Sequence, residues 1–120
     1  MPSPLIRQGT IVQAFIVPPR GEPKWRPAVV YTPTALLAAA SIVDVVGISG
    51  SYYPDDPEQV LLPWRADGNC PTRLTRPSSV QLNLTASVPI EHVRPSAAYV
   101  PGKELQKVLV KLAERGFKTG

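Results

Sequence analysis

The sequence predicts a mainly β domain of the α+β class, with strands through most of its length and one helix at its C-terminal end. Three observations carry this. Fifteen of the 120 residues are proline; proline has no backbone N–H and breaks a helix interior, so this many belong in turns and at strand edges. Between the prolines lie short runs rich in β-branched and aromatic residues, the pattern of strands bounded by turns. Only Gly102 to Arg115 repeats its apolar residues at a convincing helical spacing.

In chain order, one core is expected over residues 6–115, with frayed tails at 1–5 and 117–120, because 120 residues suit a single domain. Gly9 opens a strand over Thr10–Val17, which Pro18-Pro19 ends. A loop with both charge signs follows, Arg20, Gly21, Glu22, Pro23, Lys24, Trp25 and Arg26, and Pro27 closes it. Ala28–Thr32 is nearly continuously apolar and reads as a strand buried on both faces. Pro33–Ala40 suits a short helix capped by Thr34. Ser41–Ser49 is the clearest strand, and Gly50–Pro57 is a surface loop.

Gln59–Leu62 is a short strand stopped by Pro63, and Trp64–Pro71 is a loop with turn chemistry at Asp67-Gly68. Ser79–Leu84 alternates, with Val80, Leu82 and Leu84 on one face of a half-buried strand. Ala86-Ser87-Val88 either continues it or begins another, and Pro89–Val93 is a turn leading to Arg94-Pro95. In the helix, Leu105, Val108, Leu109 and Leu112 share a face, and Gly116 stands just past the last turn.

With 43% hydrophobic and 18% charged residues the chain is globular rather than disordered. Its net charge of +4 favours anionic partners without choosing among nucleic acid, membrane surface and acidic protein. Cys70 is the single cysteine and has no partner for an internal disulfide. No secretory signal is evident, and the most apolar stretch, Ala35–Gly50, is too short and too interrupted to span a bilayer. The expectation is a cytoplasmic protein with no membrane association.

One His and one Cys do not make a zinc or copper ligand cluster. Glycine loops of the phosphate-cradling kind are missing too, so no cofactor is expected. His92 has no motif around it, and Cys70 has no nucleophile signature. What remains is cationic and hydroxylic: Arg20, Lys24, Arg26, Arg73 and Arg76, with Ser49, Ser51 and Thr75. Guanidinium forks and hydroxyls suit phosphate oxygens, and Trp25, Tyr52 and Tyr53 offer faces for unpaired bases. The same residues equally suit solvated loop charges with aromatics packed on the core.

Residue identity and order add a resemblance. Gly9-Thr10-Ile11-Val12, a loop with Gly21-Glu22, Arg26-Pro27-Ala28-Val29-Val30, and an apolar strand ending Gly47-Ile48-Ser49 resemble the MazF/PemK family of toxin-antitoxin ribonucleases. The similarity continues through Val60-Leu61-Leu62-Pro63, Pro77-Ser78-Ser79-Val80 and Val88-Pro89, and covers roughly Ile6 to Arg115. The resemblance implies an SH3-like β-barrel with a C-terminal helix, usually a homodimer, that cuts single-stranded RNA such as mRNA without metal and is neutralised by an acidic antitoxin segment. By position, the family's arginine falls on Arg26, its strand-end threonine or serine on Ser49, and its loop glutamate on Glu22 in a slightly shorter loop. Arg26, Ser49 and Glu22 are therefore the expected catalytic residues; Arg20, Lys24, Trp25, Ser51 and Arg73 are expected to hold the RNA.

One departure stands out. Where the family often keeps an acid in the strand over Ser79–Leu84, this chain has Gln81 and Asn83. That leaves open a protein of the same fold that binds a protein or nucleic acid without cutting.

Overall fold

The structure, a computed structural model of the chain, describes residues 6–17 and 20–120. The expected tail at 1–5 and the Pro18-Pro19 stop lie outside those residues. The elements are β1 (Thr10–Ile16), β2 (Lys24–Val30), α1 (Thr34–Leu37), β3 (Ile42–Ser49), β4 (Gln59–Leu62), β5 (Ser78–Pro89), a 3-10 turn (Ile90–His92), β6 (Val93–Tyr99) and α2 (Gly102–Glu114). The strands form one antiparallel sheet in the order β4-β5-β3-β2-β1-β6. The class is the expected one, mostly β with a C-terminal helix, but the sheet stays open, with β4 and β6 at its edges.

Strand alternation sorts the apolar residues onto two faces. Ile11, Val29, Val46, Ile48, Val80 and Leu82 belong to one core, which Val108 and Leu112 of α2 complete. Val12, Ala14, Ala28, Val30, Val43 and Val45 belong to the other, where Leu37 of α1 and Ile6 pack. Both faces are therefore covered, and Ala28, Val29 and Val30 are fully buried. Tyr31 packs edge-on against Phe117 at 6.0 Å between ring centroids. Burial, reinforced by the nearby Asp44 carboxylate, pushes the Tyr31 hydroxyl up to about 12.

Gly116, at φ 89°, ends α2 with paired bonds, its own N–H to the Ala113 carbonyl at 3.0 Å and the Phe117 N–H to the Leu112 carbonyl at 3.1 Å. Beyond the helix, the Gln8 side chain donates to the Thr119 carbonyl at 2.6 Å.

Three strands differ from expectation. β2 begins at Lys24, four residues early, because Lys24, Trp25 and Arg26 pair with Ile16, Phe15 and Ala14 of β1. β5 runs unbroken to Pro89, its second half paired with β3. β6 replaces what reads as a connection: Arg94-Pro95-Ser96 has poor strand composition, yet an edge strand tolerates proline, and Pro95 lies opposite Val12.

The feature that shapes a site is a splay beyond Gly47. β2 pairs with β3 only over Ala28–Val30, ending at Ala28 opposite Gly47. There the β3–β5 register also breaks, from Val46 opposite Thr85 to Ile48 opposite Val80. Leu82, Asn83 and Leu84 are left without a register partner in either β3 or β4. Gly47 permits this, because the Leu84 side chain occupies the space a Cβ would need.

Candidate functional site

The splay opens a pocket of about 520 Å³. Its walls are Lys24, Trp25, Arg26 and Pro27 of β2, Ile48, Ser49 and Gly50 at the end of β3, Arg76 before β5, and Gln81, Asn83 and Leu84 of β5. Four of the residues expected from sequence thus come together: Lys24, Trp25, Arg26 and Ser49.

Arg26 is half-buried on β2, in the part that has left β3 and pairs only with β1. Its Nε is buried and has no hydrogen-bond partner among the described residues. An orphaned guanidinium N–H is costly to leave unmet, so it is a donor held ready for an acceptor. Ser49 is also half-buried, and its hydroxyl stands 3.0 Å from that of Ser51.

A chain of polar contacts ties the floor together. The Gln81 side-chain amide donates to the Ser79 hydroxyl at 2.8 Å, and Ser79 donates to the Ser51 carbonyl at 2.7 Å. From the other side, Gln59 donates to the Gln81 side-chain oxygen at 3.4 Å. Both ends of the Gln81 amide are therefore engaged.

Among the described residues, the walls carry three cations and no carboxylate. The ion pairs among those residues are Arg65–Asp67 and Arg115–Glu58, both elsewhere. Like charges gathered without a counter-charge repel, and an anion in the pocket offsets that cost. Trp25 lines the same pocket with a further cation on its ring: the Arg94 guanidinium lies 3.9 Å from the ring centroid, and Phe15 meets it edge-on at 5.7 Å.

Arg20 and Glu22 are exposed in the β1–β2 connection, and neither lines the pocket. Ser51 and Arg73 do not line it either; Ser51 reaches it through Ser49, and Arg73 sits in a turn with φ 58°. Arg76 and Gly50 complete the walls instead. Arg76 carried the same cationic loop signal as Arg73, and its place immediately before Pro77 and β5 is what separates the two. Among the described residues, no group of three or more His, Cys, Asp or Glu side chains gathers as a metal site. Cys70 lies outside the pocket, and a hydrogen bond with Thr72, 3.4 Å from its sulfur, holds its thiol below the usual range. No helix is long and apolar enough to cross a membrane among the described residues.

No protein-family model matches the chain, and no curated protein matches it in sequence. Solved structures do match. A chain of the MazE-MazF complex from Deinococcus radiodurans superposes with a TM-score of 0.69 at 19% identity, covering 97% of this chain and 100% of that one. MazF from the same organism gives 0.68 at 22% identity, covering 96% and 100%. The toxin MazF-mt6 of Mycobacterium tuberculosis gives 0.66 at 19% identity, covering 90% and 95%. The chain has the fold of the MazF toxins over nearly its whole length.

Proposed function

We propose that the chain is a toxin-like endoribonuclease that cuts single-stranded RNA without a metal ion. The observation that carries this reading is the Nε of Arg26, without a hydrogen-bond partner among the described residues, in a cationic pocket that Ser49 also lines in a MazF fold. In this reaction the ribose 2′-oxygen attacks the adjacent phosphorus. A P–O bond forms to give a 2′,3′-cyclic phosphate, and the bond to the 5′-oxygen breaks. The 2′-hydroxyl proton goes to a base, and the departing 5′-oxygen receives one. Arg26 donates to the phosphorane oxygens and polarises the leaving oxygen, while Ser49 donates to a second phosphate oxygen. Glu22 is the carboxylate of the neighbouring loop and takes the base role. Arg20, Lys24, Trp25, Ser51 and Arg73 position the strand.

The solved neighbours include MazE-MazF complexes, which supports an acidic antitoxin as the inhibiting partner of this chain. A homodimer working in the cytoplasm completes the reading. The test is incubation of purified protein with single-stranded RNA in EDTA, with end analysis of the products. Fragments with 5′-hydroxyl ends, lost on Arg26→Ala, are expected; intact RNA, or undiminished cutting by the variant, overturns the reading.

A second reading has its own support. Among the described residues the pocket walls hold the amides of Gln81 and Asn83 and no carboxylate, and the Gln81 amide is engaged at both ends. A protein of this fold that binds RNA or a protein target without cutting would give a stable complex and no fragments in the same experiment.

A further inference from the structure

We propose that Arg76 is a second phosphate-binding residue of the pocket, gripping the backbone of the RNA strand that Arg26 engages. This rests on the RNA-binding part of the proposed function, though not on its cleavage chemistry.

The geometry has two independent parts. The first is the seat of the guanidinium. A Cβ built on Gly50 would lie 2.6 Å from Nη2 of Arg76 and 3.0 Å from its Cζ and Nε. The guanidinium thus occupies the space a side chain at position 50 would take, next to Ser49 on the pocket wall. The far end of this exposed side chain therefore lies against position 50, on the same pocket wall as Ser49. The second part is charge. Arg76 shares the pocket with Lys24 and Arg26 and, among the described residues, with no carboxylate; nor does it make an ion pair among those residues. Two guanidinium forks on separate walls, one from β2 and one from the segment entering β5, suit the paired oxygens of a phosphodiester backbone. Neutral Gln81 and Asn83 on the floor add amide groups without opposing negative charge.

The substrate class that follows is a single strand whose backbone, rather than its bases, enters the space between Arg26 and Arg76. Arg94 takes one face of the Trp25 ring, and the guanidinium forks of Arg26 and Arg76 supply the contacts to the backbone.

The test uses the full chain and a single-stranded RNA oligonucleotide with 2′-O-methyl riboses, which cannot be cut by 2′-hydroxyl attack. Binding is read by fluorescence anisotropy across a salt series. Arg76→Ala is expected to weaken binding about tenfold and to flatten the slope of log affinity against log salt by about 0.7, the loss of one backbone contact on a single strand. Gly50→Ala keeps the charge and only displaces the flexible end of Arg76, so it is expected to change binding by no more than about twofold and to keep the parent's salt slope; a flattened slope in this variant overturns the proposal. Lys103→Ala, exposed in the first turn of α2, serves as control. Circular dichroism verifies folding, and Arg76→Gln replaces the alanine variant if that one does not fold.

Binding and slope unchanged in the Arg76 variants, or changed no more than in Lys103→Ala, overturn the proposal, as does a parent that binds no RNA. If the parent shows Arg76-dependent binding yet leaves unmodified RNA intact, Arg76 keeps its role and the cleavage reading falls. Cutting that depends on Arg26 but not on Arg76 does the opposite: the cleavage reading stands and the role of Arg76 falls.

Discussion

Two of the depressions formed by the described residues are of similar size and carry cations, yet they differ in what those cations face. The pocket at Arg26, about 520 Å³, holds Lys24, Arg26 and Arg76 with no acid among the described residues of its walls. The groove between β4 and α2, about 600 Å³, holds Lys107 and Lys111 beside Glu104, with Val60, Leu61, Leu62 and Trp64 around them. Lys111 also acts on Glu58, whose carboxyl the Arg115 hydrogen bond first, and then the charges of Arg115 and Lys111, hold below the usual range against desolvation. Net charge therefore says little about anion binding in a protein this size. What matters is where cations gather without partners, and here that place is a break in sheet register rather than a helix surface.

The largest test of this contrast is Arg26→Ala, which is expected to cut RNA about 100- to 1,000-fold more slowly, the range seen when one donor to a developing oxyanion is removed. Rates in single-turnover assays check it. Next comes Leu112→Ala, which empties part of the core beneath α2 and is expected to cost about 2–5 kcal/mol of stability in urea titration. Cleavage per folded molecule should stay unchanged if the pocket and the α2 groove are separate. Lys107→Ala combined with Lys111→Ala should then change cleavage by no more than about twofold, since neither side chain lines the Arg26 pocket and exposed charges are screened at physiological salt; a tenfold loss would merge the two regions into one RNA track.

Smallest at neutral pH is Tyr31→Phe. Because folding raises the Tyr31 hydroxyl from 10.0 to about 12, its contribution is full below pH 10 and is lost as pH rises through about 12. Thermal melts of the parent should fall over that window, and those of the variant should fall less.

Local pattern made much of this fold legible. β1 and β3 announce themselves by β-branched runs between turn residues, β4 by a short apolar run that Pro63 stops, and α2 by Leu105, Val108, Leu109 and Leu112. β6 does not, because Arg94-Pro95-Ser96 is extended by its pairing with β1 rather than by its own preference. The site divides the same way. Arg26 and Ser49 follow from the order of residues around Arg26-Pro27 and Gly47-Ile48-Ser49. Their meeting with Arg76 depends on the shift between Val46 and Ile48, a property of two strands at once that neither sequence segment carries alone. Gln81 and Asn83 were visible as departures from the resemblance, but their place on the floor of the pocket was not.

The unpaired stretch of β5 also bears on time. Asn83 and Leu84 have no cross-strand register partner, while Val45, Val46, Thr85 and Val88 are locked into the β3–β5 ladder beside them. Local opening needs fewest broken bonds where pairing is already absent. Amide hydrogens at Asn83 and Leu84 should therefore exchange with solvent well before their neighbours. Exchange at Asn83 and Leu84 no faster than at Val45, Val46, Thr85 and Val88 would show instead that the break in register costs the sheet nothing in local stability.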